Sequence, residues 1–110
     1  MASLGKITFY GASGKAYVFD IYDLNSSWNE VPAIYVVTRA HSDADGTIRH
    51  AAIYIGQTDN LKQRFSNHHK QSCFNLNRAN RLCIIVENSE AARLNAETDL
   101  IRGNKTPCND

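Results

Sequence analysis

A chain of 110 residues has room for one small domain with a modest core, and 43% hydrophobic with 21% charged residues is an ordinary globular balance. No apolar run is long enough to span a bilayer, and the N-terminal MASLGKITFYG lacks the apolar core of a signal peptide, so a cytoplasmic protein without membrane contact is expected. The net charge of +1 excludes nothing, but residues 60–86 carry Lys62, Arg64, Lys70, Arg78 and Arg81, with His68 and His69, and no acid at all.

In chain order, KITFYGASGKAYVFDIYDL reads as a β-hairpin, two apolar and aromatic runs around a Ser13-Gly14 turn. Its GASGK lacks the spacing of a phosphate loop and has Ala16 after the lysine, so it is read as a turn. PAIYVVT (32–38) is a buried strand. RAHSDADGTIRH is a polar loop with an Asp45-Gly46 turn, and AAIYIG (51–56) is the partner strand. Thr58 and Asp59 are placed to cap a helix that begins near Asn60 and carries Arg64 and His68 one turn apart, beside Leu61 and Phe65. Residues 70–80 are Asn-rich and fit a short second helix, and RLCIIVEN is a further strand. Ser89 caps a final helix, EAARLNAETDLIRG, that ends near Gly103 and leads to a polar tail, NKTPCND. On that helix Glu97 falls between Leu94, Leu100 and Ile101, where an unpaired carboxylate is costly to bury. Pairing with Arg93, a metal ion, or an arginine from another element would each resolve it. Cys73, Cys83 and Cys108 are odd in number and lack C-x-x-C spacing. They are expected as reduced thiols, and zinc binding with His69 is not supported.

The order of these pieces is more specific than any of them. AIY (33–35) is followed nineteen residues after Tyr35 by YIG (54–56), then by Arg64 ten residues after Tyr54 and His68 four further on. Glu97 with Leu100-Ile101 comes later, and then TPCN ending at Asn109. This register resembles the GIY-YIG nuclease superfamily over residues 32–109. The resemblance implies a single α+β domain, a small and mainly antiparallel central sheet flanked by helices, here with an extra N-terminal hairpin at 1–24. It implies a divalent-metal-dependent endonuclease that hydrolyses nucleic-acid phosphodiesters, with DNA as the default substrate and Mg²⁺ or Mn²⁺ as cofactor.

By the same resemblance Tyr35 and Tyr54 line the site, and one of them activates or orients the attacking water. Arg64 stabilises charge on the phosphoryl oxygens, His68 is a base or proton relay, Glu97 holds the metal, and Asn109 bonds a phosphate or a site residue. Lys62, His69, Lys70 and Arg78 are the expected nucleic-acid contacts. The sequence departs from the family pattern in four places. Ala33 stands for the first glycine, Gln57 stands where some members have a lysine, the 40–50 loop is long, and the hairpin is additional. That hairpin is a candidate surface for a protein partner or self-association. The alternatives are an inactive nucleic-acid-binding or protein-interaction module with the same fold.

Overall fold

The computed structural model describes residues 3–109. Strands β1 (Lys6–Tyr10), β2 (Ala16–Asp23), β3 (Ala33–Ser42) and β4 (Ile48–Thr58) come first. Helices α1 (Leu61–Ser66) and α2 (Gln71–Leu76), strand β5 (Arg81–Val86) and helix α3 (Glu90–Gly103) follow. The sheet has the order β1-β2-β5-β3-β4, with every neighbouring pair antiparallel. β5 takes the centre because Leu82, Cys83 and Ile84 can be buried on both faces. It joins the N-terminal hairpin to the β3–β4 hairpin, so the hairpin is an integral part of the sheet.

Alternation along the strands sorts the core into two layers. Ala33, Tyr35, Val37, Leu82 and Ile84 face α1 and α2 and pack with Leu61 and Phe74. Ile34, Val36, Ile55 and Cys83 face the other way, with Phe19, Ile21 and the Ala96 and Leu100 of α3. The β3–β4 register slips between Val37 and Thr38, where Ile53 is the extra residue of β4. Both Ile53 and Tyr54 therefore join the first layer, as a bulge allows.

The 40–50 segment is not a loop. β3 and β4 continue as a ladder to Ser42↔Ile48, closed by a turn in which Asp43 donates its N–H to the Thr47 carbonyl (2.8 Å). Gly46 supplies φ +84° in that turn. Backbone pairing overrides the polar composition, because both faces of this extension are open to solvent. The GASGK turn docks on α3 instead of holding phosphate. Asp99 accepts bonds from the Ser13 N–H (2.9 Å), the Ser13 hydroxyl (2.7 Å) and the Tyr17 hydroxyl (2.9 Å).

α3 is capped as the sequence indicates, with the Ser89 hydroxyl accepting from the Ala92 N–H at 3.2 Å. Its buried face differs from the expectation. Arg93, Ala96 and Leu100 point inward, whereas Leu94 and Ile101 are exposed, since small Ala96 lets the helix approach the sheet closely. α1 is capped by Asn60 itself, whose side chain accepts from the Gln63 N–H (3.0 Å), not by Thr58 or Asp59. It ends at Ser66, so His68 lies in the turn before α2 and not on the helix.

The C-terminal segment is packed rather than a free tail. The Cys108 N–H bonds the Ile53 carbonyl (3.0 Å), and Cys108 is disulfide-bonded to Cys73 of α2. This corrects the expectation of three thiols, because only Cys83 is free among the described residues. The fold brings together two cysteines separated by 35 residues at one edge of the first core layer.

Candidate active site

β4 is an edge strand, and the groups that complete its free side build the site. Along that side the backbone of Ile53 is met by Cys108, and that of Ile55 by the Asn109 side chain, which donates to its carbonyl and accepts from its N–H, both at 2.8 Å. Next along the edge, the Gln57 N–H faces the carboxylate of Glu97. α3 lies beneath one face of the sheet and α1 above the other, yet Glu97 and Arg64 reach round this edge far enough for each tyrosine hydroxyl to feel both charges. The charges of both elements thus act on Tyr35 and Tyr54.

Tyr35 is fully buried, and its ring lies over Gly56. A Cβ at position 56 would stand 2.5 Å from the Tyr35 hydroxyl and 2.9 Å from the Tyr54 ring. The glycine of YIG is therefore a matter of space, not of backbone angle. The Tyr35 and Tyr54 rings are 6.1 Å apart, with Phe65 edge-on to Tyr35 at 5.0 Å.

His68 is buried among these rings and makes two polar contacts. Its Nδ1 accepts the Lys70 backbone N–H (3.0 Å), and its Nε2 is 2.8 Å from the Tyr35 hydroxyl. With Nδ1 accepting, the proton of neutral imidazole sits on Nε2, so His68 donates to Tyr35. Burial, with His69, Arg64 and Lys70 nearby, pushes the imidazole down to about 4. His68 is thus neutral at physiological pH, with both ring nitrogens engaged.

Burial also raises both phenols and the Glu97 carboxyl above their ordinary values. Arg64 opposes the rise in all three without cancelling it. Tyr54 is additionally lowered by the Tyr35 hydroxyl, while Tyr54 raises Tyr35.

Arg93 does not pair with Glu97. Its guanidinium is spent on the Gln57 side chain (3.0 Å) and on the carbonyls of Glu87 and Asn88 (3.0 and 3.1 Å). It pins the start of α3 to the end of β4, a role the sequence did not indicate. Gln57 is thereby turned to Arg93. Asn109 is engaged with Ile55 of the edge strand and with the Thr106 hydroxyl. Arg64 opens into a groove of about 310 Å³ that is also lined by Asn60, Gln63, Asn67 and His69. Of the other expected contacts, Lys62, His69 and Arg78 are exposed and Lys70 is half-buried. Arg78 sits in the turn after α2 with φ 58°.

Residues 32–109 match the family model of the GIY-YIG catalytic domain. The chain belongs to the GIY-YIG family. Comparison with curated proteins and with solved structures gives no match. The match spans β3 to the C-terminal segment and leaves out β1 and β2, so the GIY-YIG core here carries two further strands on the far side of β5. GIY-YIG domains are nuclease domains, and nucleic acid is accordingly the substrate class of the family. No helix among the described residues is long and apolar enough to cross a membrane.

Proposed function

We propose that this protein is a divalent-metal-dependent endonuclease that hydrolyses nucleic-acid phosphodiesters, with DNA as its default substrate. The observation that carries this reading is that the charges of Arg64 and Glu97, borne on helices packed against opposite faces of the sheet, both act on the paired tyrosines at the free edge of β4. Arg64, open to the adjoining groove, stabilises negative charge on the phosphoryl oxygens.

Among the described residues there is no group of three or more His, Cys, Asp or Glu that could hold a metal ion. A lone Glu97 fits Mg²⁺ or Mn²⁺, hard cations that are commonly held by one or two carboxylates with water and substrate phosphates completing the shell. Bound there, such a cation supplies Lewis-acid polarisation of the phosphate. The half-buried carboxyl, raised by burial, favours having a cation beside it.

The chain of hydrogen bonds begins at His68, which donates to Tyr35; Tyr35 in turn supports Tyr54. Tyr54 is therefore the hydroxyl that orients the attacking water, and Tyr35 is its buried support. Lys62, His69, Lys70 and Arg78 flank the path of the nucleic-acid backbone. The disulfide, a bond typical of oxidising compartments, weighs against the cytoplasmic location expected from the sequence.

The test is nicking of supercoiled plasmid with and without Mg²⁺ and Mn²⁺, with folding of each variant checked by circular dichroism. Glu97→Ala should bind DNA as well as the parent or better and fail to cut it. Arg64→Ala should lose about 10²–10³ in rate with a smaller loss of binding, because its charge matters most in the transition state. Arg64→Lys should not restore the rate fully, since a point charge lacks the planar fork. Folded variants that nick at the parent rate would make both residues structural and leave an inactive binding module as the reading.

A further inference from the structure

Trp28 is the only tryptophan of the chain, and no role described above uses it. It is half-buried in the segment between β2 and β3, edge-on to Tyr22 with ring centres 6.0 Å apart and tilted on Phe65 at 6.2 Å. Together with α1 and α2 these rings border a groove of about 360 Å³, lined by Asn25, Trp28, Phe65, Gln71 and Asn75 among others.

Three features define what fits there. The lining has no charged side chain, and Asn25, Gln71 and Asn75 bring neutral amides to it. Gln71 and Asn75 bond each other at 3.1 Å, which leaves donors and acceptors on both still to be satisfied. The groove is also one ring away from the candidate active site. Phe65, on its rim, touches Tyr35 at 5.0 Å and His68 at 5.1 Å with its other side. Finally, exposed Lys62 lies three residues before Phe65 on α1, and its backbone N–H bonds the Asn29 carbonyl, next to Trp28, at 3.2 Å.

A phosphate would find no cation inside this groove, and an aliphatic side chain would leave its amides unpaired. A nucleobase suits both components, with a π-face to stack on an aromatic ring and a polar edge for amides. We propose that the groove holds one unpaired nucleobase of the substrate strand, next to the phosphate at Arg64. This rests on the nuclease reading above. A paired base is stacked between its neighbours and cannot offer its face without being extruded. The protein therefore prefers a strand with an unpaired nucleotide beside the point of cutting.

Trp28 fluorescence reads the groove directly. The parent protein, held in EDTA so that nothing is cut, is titrated with a dye-labelled single-stranded DNA of about 10 nucleotides, with its duplex, and with an abasic strand of equal length. Binding is followed by anisotropy of the dye alongside the tryptophan emission. The single strand should quench Trp28 in proportion to binding, and the duplex and abasic strand should bind with little quenching. Trp28→Ala should weaken single-strand binding about tenfold. A Gln71→Ala, Asn75→Ala double variant, altered only at exposed positions of α2, should weaken it severalfold with the fold intact. Single-strand binding with unchanged emission, equal quenching by the duplex, or an unaffected double variant would overturn the groove and leave the nuclease reading standing. Absence of anisotropy change with every DNA would sink both.

Discussion

At Gly56 the Tyr35 ring occupies the space a side chain would need, so Gly56→Ala puts a methyl 2.5 Å from the hydroxyl and 2.6 Å from the ring carbon that bears it. Overpacking of this kind typically costs about 1–3 kcal/mol. Urea unfolding of the variant should show that loss, with plasmid nicking reduced further because Tyr35 is displaced from His68; an unchanged midpoint would mean the ring moves aside freely. His68 carries a second prediction. It takes a proton near pH 6.5 when unfolded but only at about 4 in the folded protein. Between those values the unfolded chain binds more protons, so stability is fully present above pH 6.5 and falls as the pH drops toward 4. A shift of this size amounts to roughly 3 kcal/mol at the acid end. His68→Gln should flatten that part of the stability profile measured by urea titration at several pH values. A variant whose profile stays parallel to the parent's would show that the acid sensitivity comes from other groups.

At the scale of elements, the free edge of β4 is the feature to test. An exposed edge leaves unpaired backbone groups, and here Cys108, Asn109 and Glu97 meet Ile53, Ile55 and Gln57 in succession. Asn109 acts like one residue of an additional strand. Asn109→Ala removes both bonds to Ile55 and should cost about 1–3 kcal/mol, the range for leaving buried polar groups unpaired. Hydrogen exchange at the Ile55 amide should quicken in this variant, and nicking should fall because Tyr54 and Gly56 flank the loosened residue. Exchange at the parent rate would return Asn109 to direct work on a phosphate. The arrangement also explains why the end of the chain belongs to the site although it lies in no helix or strand.

For the whole molecule, the disulfide is the covalent tie, joining α2 to the segment that covers β4. Closing a loop of 35 residues should stabilise the fold by about 4 kcal/mol through the entropy of the unfolded chain. Unfolding with and without a thiol reductant, beside a Cys73→Ser, Cys108→Ser variant, should show a loss of that order. The reduced protein should also nick more slowly, since the Cys108–Asn109 segment is released from one anchor. Equal stability in both conditions would mean that packing of Cys108 and Thr106 alone holds the segment. The two layers of core, one on each face of the sheet, make such an anchor useful, because α1 and α2 are only six residues each.

The sequence by itself determined the strand cores, though not the extension of β3 and β4 through 40–50, together with the Ser89-capped helix and the order of AIY, YIG, Arg64, Glu97 and Asn109, because these depend on period, turn chemistry and order along the chain. The position of His68 was not legible in the sequence. The spacing of four from Arg64 suggests a shared helix face, whereas the Lys70 N–H that fixes its tautomer comes from a turn. The partner of Glu97 was likewise open, since Arg93 is nearest in sequence and is taken by Gln57 and two carbonyls. Only the tertiary structure decided the engagement of Arg93, the pairing of Cys73 with Cys108 and the covering of β4 by residues 108–109. Each joins groups far apart in sequence through contacts that no local period records, and the competition between burial and charge at Tyr35, Tyr54 and Glu97 exists only once the sheet and helices have closed around them.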